Sequence, residues 1–94
     1  LFNTKLQVTV TDTNGTVVND VEVILYRSNS DHTKQKNRLQ SGTTNNKGIV
    51  SFKKLETKRY YLYAKKGPLD NTLSDYETAE MHKGKINKIT LTIE

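Results

Sequence analysis

Ninety-four residues with a net charge of +5, a hydrophobic fraction of 33% and no cysteine suit one compact domain, residues 1–94, and leave no room for a second. Disulfides, Cys-based zinc sites and thiol catalysis are excluded, and no apolar run approaches the roughly 20 residues of a membrane-spanning helix. A domain this small buries only about 60 to 65% of the surface of its unfolded chain, so a deep catalytic cleft would remove core that the fold can hardly spare.

The first element is an alternating strand over about Thr4 to Thr11. In Lys5-Leu6-Gln7-Val8-Thr9-Val10-Thr11 the Leu and both Val fall on one face and the polar residues on the other. Asp12-Thr13-Asn14-Gly15 breaks the run as a turn, and Val17 and Val18 lead into a second strand over Val21 to Tyr26. That strand is apolar on both faces in its second half, which marks it as central. Arg27 to Arg38 is polar, without period and long for a hairpin, so it reads as a surface excursion. A third strand is expected over Leu39 to Thr44, and Asn45-Asn46-Lys47-Gly48 supplies residues that accept positive φ in a tight hairpin to a fourth, Ile49 to Phe52.

Leu55 is the one apolar residue of the next connection and is placed to plug an end of the core. A fifth strand runs over Tyr60 to Lys65 and is stopped by Lys66-Gly67-Pro68-Leu69-Asp70-Asn71, where Pro lacks a ladder donor and Gly a packing side chain. Tyr76 to about Met81 is read as a sixth strand, His82-Lys83-Gly84-Lys85 as a turn, and Ile86 to Ile93 as a seventh. Seven short strands with regular turn signals define an all-β sandwich. The basic residues (Lys34, Lys36 and Arg38; Lys53, Lys54, Lys58 and Arg59; Lys65 and Lys66; Lys83, Lys85 and Lys88) fall mostly in loops and at outward positions. That pattern suits a solvated surface rather than a nucleic-acid face, which would gather charge beside stacking aromatics. Leu1 is not an initiator Met, which points to a chain trimmed or processed upstream of it.

The succession Leu6-x-Val8-x-Val10-x-Asp12-x-x-Gly15-x-x-Val18-x-x-Val21-x-Val23-x-Leu25-Tyr26, then Thr44-x-x-x-Gly48-x-x-x-Phe52-x-x-Leu55, then Tyr60-x-Leu62-x-Ala64, resembles the carboxypeptidase regulatory-like domain of the prealbumin-like (transthyretin-like) superfamily. It is similar in particular to small exported lipoprotein domains of Bacteroidetes. The resemblance covers nearly the whole chain and implies a seven-stranded antiparallel Greek-key sandwich, Ig-like in outline. It further implies a non-catalytic accessory or binding module, periplasmic, secreted or at the cell surface, without cofactor. Such a module would be monomeric, would meet a protein or glycan partner, and would touch a membrane only through a lipid anchor upstream. Two positions depart from the family pattern: Asn45 or Asn46 stands for the usual turn Asp, and Lys58 or Arg59 for the usual Gly before the Tyr60 strand. The related pilin-type B domains weld Lys to Asn with a carboxylic acid as proton shuttle. Here Lys5 and Asn87 lie on the first and last strands, but Leu6 rather than Lys5 carries the inward phase, and Ala64-Lys65 occupies the place of the acid.

Candidate sites are few. Asp12 and Asn14 could present oxygens to calcium, but the later bidentate carboxylate is lacking and an Asx turn explains them. His32 and His82 lie in different loops without ligand-spaced partners, and Asp31 beside His32 is a neighbour rather than an orienting dyad. Ser74 and Asp75 with either His would need a nucleophile elbow that the chain does not contain. A transthyretin-like hydrolase would need a cluster of His and Arg that is likewise missing. If Tyr60, Leu62 and Ala64 face the core, Tyr61 and Tyr63 point outward in line with Lys65 beyond them. Such a strip suits a sugar or a partner protein. The alternatives are that both rings pack under the Gly67 to Asp75 loop or against Tyr26, or that the domain is a spacer in a surface assembly.

Overall fold

The computed structural model describes residues 3–94; Leu1, whose identity prompts the expectation of upstream processing, lies outside them. Seven strands and one short helix follow in the order β1 (Lys5–Thr11), β2 (Glu22–Tyr26), α1 (Asn29–Lys34), β3 (Gln40–Thr43), β4 (Ile49–Phe52), β5 (Tyr61–Lys66), β6 (Leu69–Asp70) and β7 (Ile86–Thr92). They form two sheets, β4-β1-β7 and β3-β2-β5-β6.

The alternation seen in the sequence sets what lies between the sheets. Leu6, Val8 and Val10 of β1 meet Val23 and Leu25 of β2, Phe52 of β4, and Leu62 and Ala64 of β5 in one core, which Tyr60, Met81, Leu91 and Ile93 complete. Each large apolar side chain fully withdrawn from water here stabilises the fold by about 1.5–3 kcal/mol. Leu55 closes one end, its N–H bonded to the carbonyl of Thr4 at 3.0 Å. Strand β2 is buried on both faces from Val23 to Tyr26, because β3 and β5 flank it and α1 packs across its outer side.

Five expectations need correction. The sandwich is not wholly antiparallel: β1 and β7 pair in parallel from Lys5↔Ile86 to Thr11↔Thr92. The segment before β7 returns the chain to the end where β1 starts, held by Lys5 N–H on the Lys85 carbonyl and Gly84 N–H on Thr4 Oγ1. Next, Asn45 to Gly48 is a corner rather than a ladder hairpin, because β3 pairs with β2 and β4 with β1. Asn45 Oδ1 accepts the N–H of Lys47 and of Ile49 there, doing in this chain what a turn Asp would do.

Arg27 to Arg38, read as irregular, contains α1. Ser28 caps it by accepting the Asp31 N–H at 3.1 Å, and Gln35 ends it in the left-handed conformation with φ 52°. The region around residue 70 is also different. The Gly67-Pro68 turn does not stop β5 but folds it onto β6, with Lys65↔Asp70 and Lys66↔Leu69 in register, and Tyr76 to Met81 forms no strand beyond an isolated Tyr61↔Glu77 bridge. Thr78 is the reason: its Oγ1, not its carbonyl, takes the Tyr60 N–H at 2.9 Å, so the ladder ends and the chain peels away toward β7.

Buried Thr44 ties the first crossing to the sheet. Its Oγ1 accepts the Val21 N–H and donates to the Val18 carbonyl, both at 2.9 Å. Thr44→Val keeps the shape and leaves both groups unpaired, so a loss of about 2 kcal/mol is expected. Urea unfolding checks this as a lowered midpoint at unchanged slope, and an unmoved midpoint would contradict it.

Candidate functional site

The outer face of the larger sheet carries an aromatic cluster. Tyr26 and Tyr61 are register partners on neighbouring strands, as are Ile24 and Tyr63. Helix α1 then lays His32 over this face. The imidazole stacks on Tyr76 with ring centroids 4.8 Å apart and planes 12° from parallel, and meets Tyr26 (5.7 Å) and Tyr63 (6.4 Å) edge to face. Its Nε2 lies 2.9 Å from the Leu62 carbonyl, an acceptor only, so Nε2 carries the proton and donates. Held this way, the ring is a fixed wall rather than a mobile base.

Around these rings lies a shallow recess of about 290 Å³. His32, Tyr63 and Tyr76 form its floor, and Asn29, Thr33, Gln35 and Thr72 bring amides and hydroxyls to its rim. Thr72 is oriented by Asp70, whose Oδ1 accepts both its hydroxyl at 2.6 Å and its N–H at 3.0 Å. These two bonds hold the Asp70 carboxyl below its ordinary range, with the charge of Lys65 adding to the effect. The hydroxyl proton of Thr72 is thereby committed, and its oxygen is left to accept from a ligand.

The Thr72 side of the rim hangs on Asn71, which is 1% exposed. Its Oδ1 accepts the Ala64 N–H at 2.9 Å, and its Nδ2 donates to the carbonyls of Leu62 and Asp75 at 3.1 and 3.2 Å. One edge of β5 is therefore satisfied in three stretches: β6 at Lys65 and Lys66, the Asn71 amide at Leu62 and Ala64, and the Tyr76 to Thr78 segment at Tyr60 and Leu62.

Of the strip expected from the sequence, Tyr63 alone lines the recess. Tyr61 is half-buried, opposite Tyr26 and bridged to Glu77. Lys65 is exposed, in register with Glu22 on one side and Asp70 on the other. His32 and Tyr76 escape a reading by local pattern, since 44 positions separate them. The one available signal was Ser28-x-x-Asp31, a helix-start pattern that would have moved His32 from a loop onto a helix. Elsewhere, Asp12 Oδ1 is occupied by the N–H of Asn14 and of Thr16, an Asx turn, and Ser74 Oγ lies toward the Thr92 N–H. Leu6 is buried as its phase implied, while the Asn87 amide donates to the carbonyls of Lys5, His82 and Lys85. Among the described residues no group of three or more His, Cys, Asp or Glu could hold a metal ion.

Burial raises the Tyr26 hydroxyl above its ordinary value of 10.0, with Arg38 pulling the other way. In the folded protein this hydroxyl keeps its proton where the unfolded chain has lost its own. Its contribution to stability is therefore full below pH 10.0 and is lost as the pH rises through the folded-state value. Denaturant unfolding between neutral pH and about pH 11 should show an alkaline loss that is smaller in Tyr26→Phe; equal losses in both would contradict the assignment.

Together these features define a class: a two-sheet β-sandwich module with a shallow, aromatic-floored recess on one outer face. No protein-family model and no curated protein matches the sequence. Among solved structures the chain is similar to the Bacillus anthracis TIE protein, with a TM-score of 0.68 over 99% of this chain at 18% identity. The chain spans 16% of that protein's length, so the likeness is to one module of a much longer polypeptide and carries the fold alone.

Proposed function

We propose that this chain is a non-catalytic binding module of a periplasmic, secreted or cell-surface protein, and that it takes a sugar ring in the recess over Tyr63, Tyr76 and His32. The observation that carries this reading is the recess itself: aromatic rings below, amide and hydroxyl groups around, and, among the described residues, no Lys or Arg in its lining. Flat apolar ring surface matches the C–H face of a pyranose, and amides and hydroxyls match its equatorial hydroxyls. Its volume falls at the small end of ligand sites, the scale of one ring rather than a long chain.

The finer assignment, a prealbumin-like Greek-key sandwich of the carboxypeptidase regulatory-like type, is part of the same proposal. It is supported by the Asp12 and Asn45 turns and by Phe52 and Leu55 filling the core at the spacing of the family pattern. A second reading is a spacer between other modules, in which the recess meets protein rather than sugar.

A panel of mono- and oligosaccharides tests the choice by calorimetry. Tyr63→Ala and Tyr76→Ala should each weaken binding about tenfold or more, whereas Tyr61→Ala and Lys65→Ala should change it less than about twofold. Loss through Tyr61 and Lys65 instead would shift the site to the outward strip. Binding by no sugar would leave the spacer, and release of a cleaved product would end the non-catalytic reading.

A further inference from the structure

The second feature lies on the other sheet. Strand β7 ends the order β4-β1-β7, and its pairing with β1 begins with Lys5 N–H on the Lys85 carbonyl and closes with Ile93 N–H on the Thr11 carbonyl. Odd-numbered backbone groups of β7 thus face β1, and alternation turns the N–H and C=O of Ile86, Lys88 and Thr90 to the outer edge. Thr92 at the far end has its N–H directed to Ser74 Oγ at 3.4 Å. Beside this edge runs a groove of about 420 Å³ with Leu6, Ala79, Met81 and Ile89 among its lining, and Ile86 at its lip is 59% exposed.

We propose that this edge takes up an extended acidic peptide from another protein as a fourth strand of the small sheet. In strand addition, main-chain bonds supply affinity and alternate side chains supply specificity. Here one set of incoming side chains would drop toward Leu6, Met81 and Ile89, which calls for apolar residues. The other set would stand on the outer face, beside Lys88 and near Lys5. Strands β1, β4 and β7 contain no Asp or Glu, and among the described residues Glu80 is the one carboxylate lining the groove, against Lys85 and Lys88, so carboxylates on the visiting strand meet a net positive surface. The same charge disfavours a second copy of this chain: antiparallel pairing centred on the three outward residues Ile86, Lys88 and Thr90 would set Lys88 against Lys88, and like charges directly opposite destabilise a ladder.

The test uses the whole chain, isotope-labelled, with two end-blocked peptides of about seven residues, one alternating Val with Glu and one Val with Lys. The Val–Glu peptide should slow amide hydrogen exchange at Ile86, Lys88 and Thr90 about tenfold or more, and the Val–Lys peptide should bind at least about tenfold more weakly. Exposed Lys88→Glu, which leaves the core untouched, should reverse that preference. Unchanged exchange at the three amides with millimolar Val–Glu peptide would overturn the proposal. So would equal binding of both peptides, or protection of the edge by self-association without peptide. None of these outcomes depends on the sugar recess, which lies on the other sheet.

Discussion

Asn71→Ala should cost about 3 kcal/mol, a large part of the 5–15 kcal/mol that holds a domain of this kind together. The side chain is buried and makes three bonds, each to a backbone group. Removing it leaves the Ala64 N–H, inside the sandwich, without its acceptor. The Leu62 carbonyl keeps His32 as a donor, so the main penalty falls on Ala64 and on the loop that Asn71 anchors through Asp75. Asn71→Asp retains the acceptor but turns a second oxygen toward two carbonyls, and it should be no milder. Thermal unfolding should shift down by on the order of 10–20 °C for a chain of this length. A shift under about 2 °C would show that the amide does not act as a missing piece of strand. Because Thr72 and Tyr76 flank this anchor, sugar binding in the proposed recess should weaken together with stability.

Gly48→Ala should be comparably severe for a different reason. Gly48 has φ +73°, and a Cβ there would stand 2.9 Å from the Val10 carbonyl oxygen, 3.2 Å from the Val18 nitrogen and 2.8 Å from the Val17 Cβ. Two of the three are backbone atoms and cannot swing aside, and the Val10 N–H also bonds to the Gly48 carbonyl at 2.8 Å. The left-handed conformation costs a residue with a Cβ about 1–2 kcal/mol, and forced overpacking adds roughly 1–3 kcal/mol, so about 3 kcal/mol is expected. Gly15 is the control. Its φ is +81°, but nothing lies within 4 Å of the place a methyl group would take, so Gly15→Ala should lose only the conformational part, about 1 kcal/mol. Equal losses at the two positions by urea unfolding would show that the corner between the sheets can yield.

These two residues mark what could be read from the sequence. Gly48 stood out because Asn45-Asn46-Lys47-Gly48 is turn chemistry within a few residues, and local chemistry of this kind is visible in a chain. The inward phases of Leu6, Val8, Val10, Leu62 and Ala64 were legible for the same reason, since period-two alternation is local. That β3 and β4 belong to different sheets was not, because the same turn can serve a ladder or a corner. The parallel register of β1 and β7 joins residues about 80 positions apart, and no local pattern distinguishes it from an antiparallel one. Asn71 read as punctuation after Pro68, yet its amide serves as strand backbone, a role fixed by partners on β5. Helix α1 has six residues and no fully buried side chain, too few for a hydrophobic period, and it carries His32 to Tyr76. Half of the recess therefore depended on a contact between a capped polar segment and a distant loop, whereas Tyr63 could be found from strand phase alone.

The central claim is that the ring-floored recess is a sugar-binding surface, and the most direct measurement is an amide and aromatic-ring NMR titration of the labelled chain against pooled soluble glycans. The account predicts shifts clustered on Asn29, His32, Tyr63, Thr72 and Tyr76, saturable, and abolished in Tyr76→Ala. Shifts confined to other faces, or none with any pool, would contradict it.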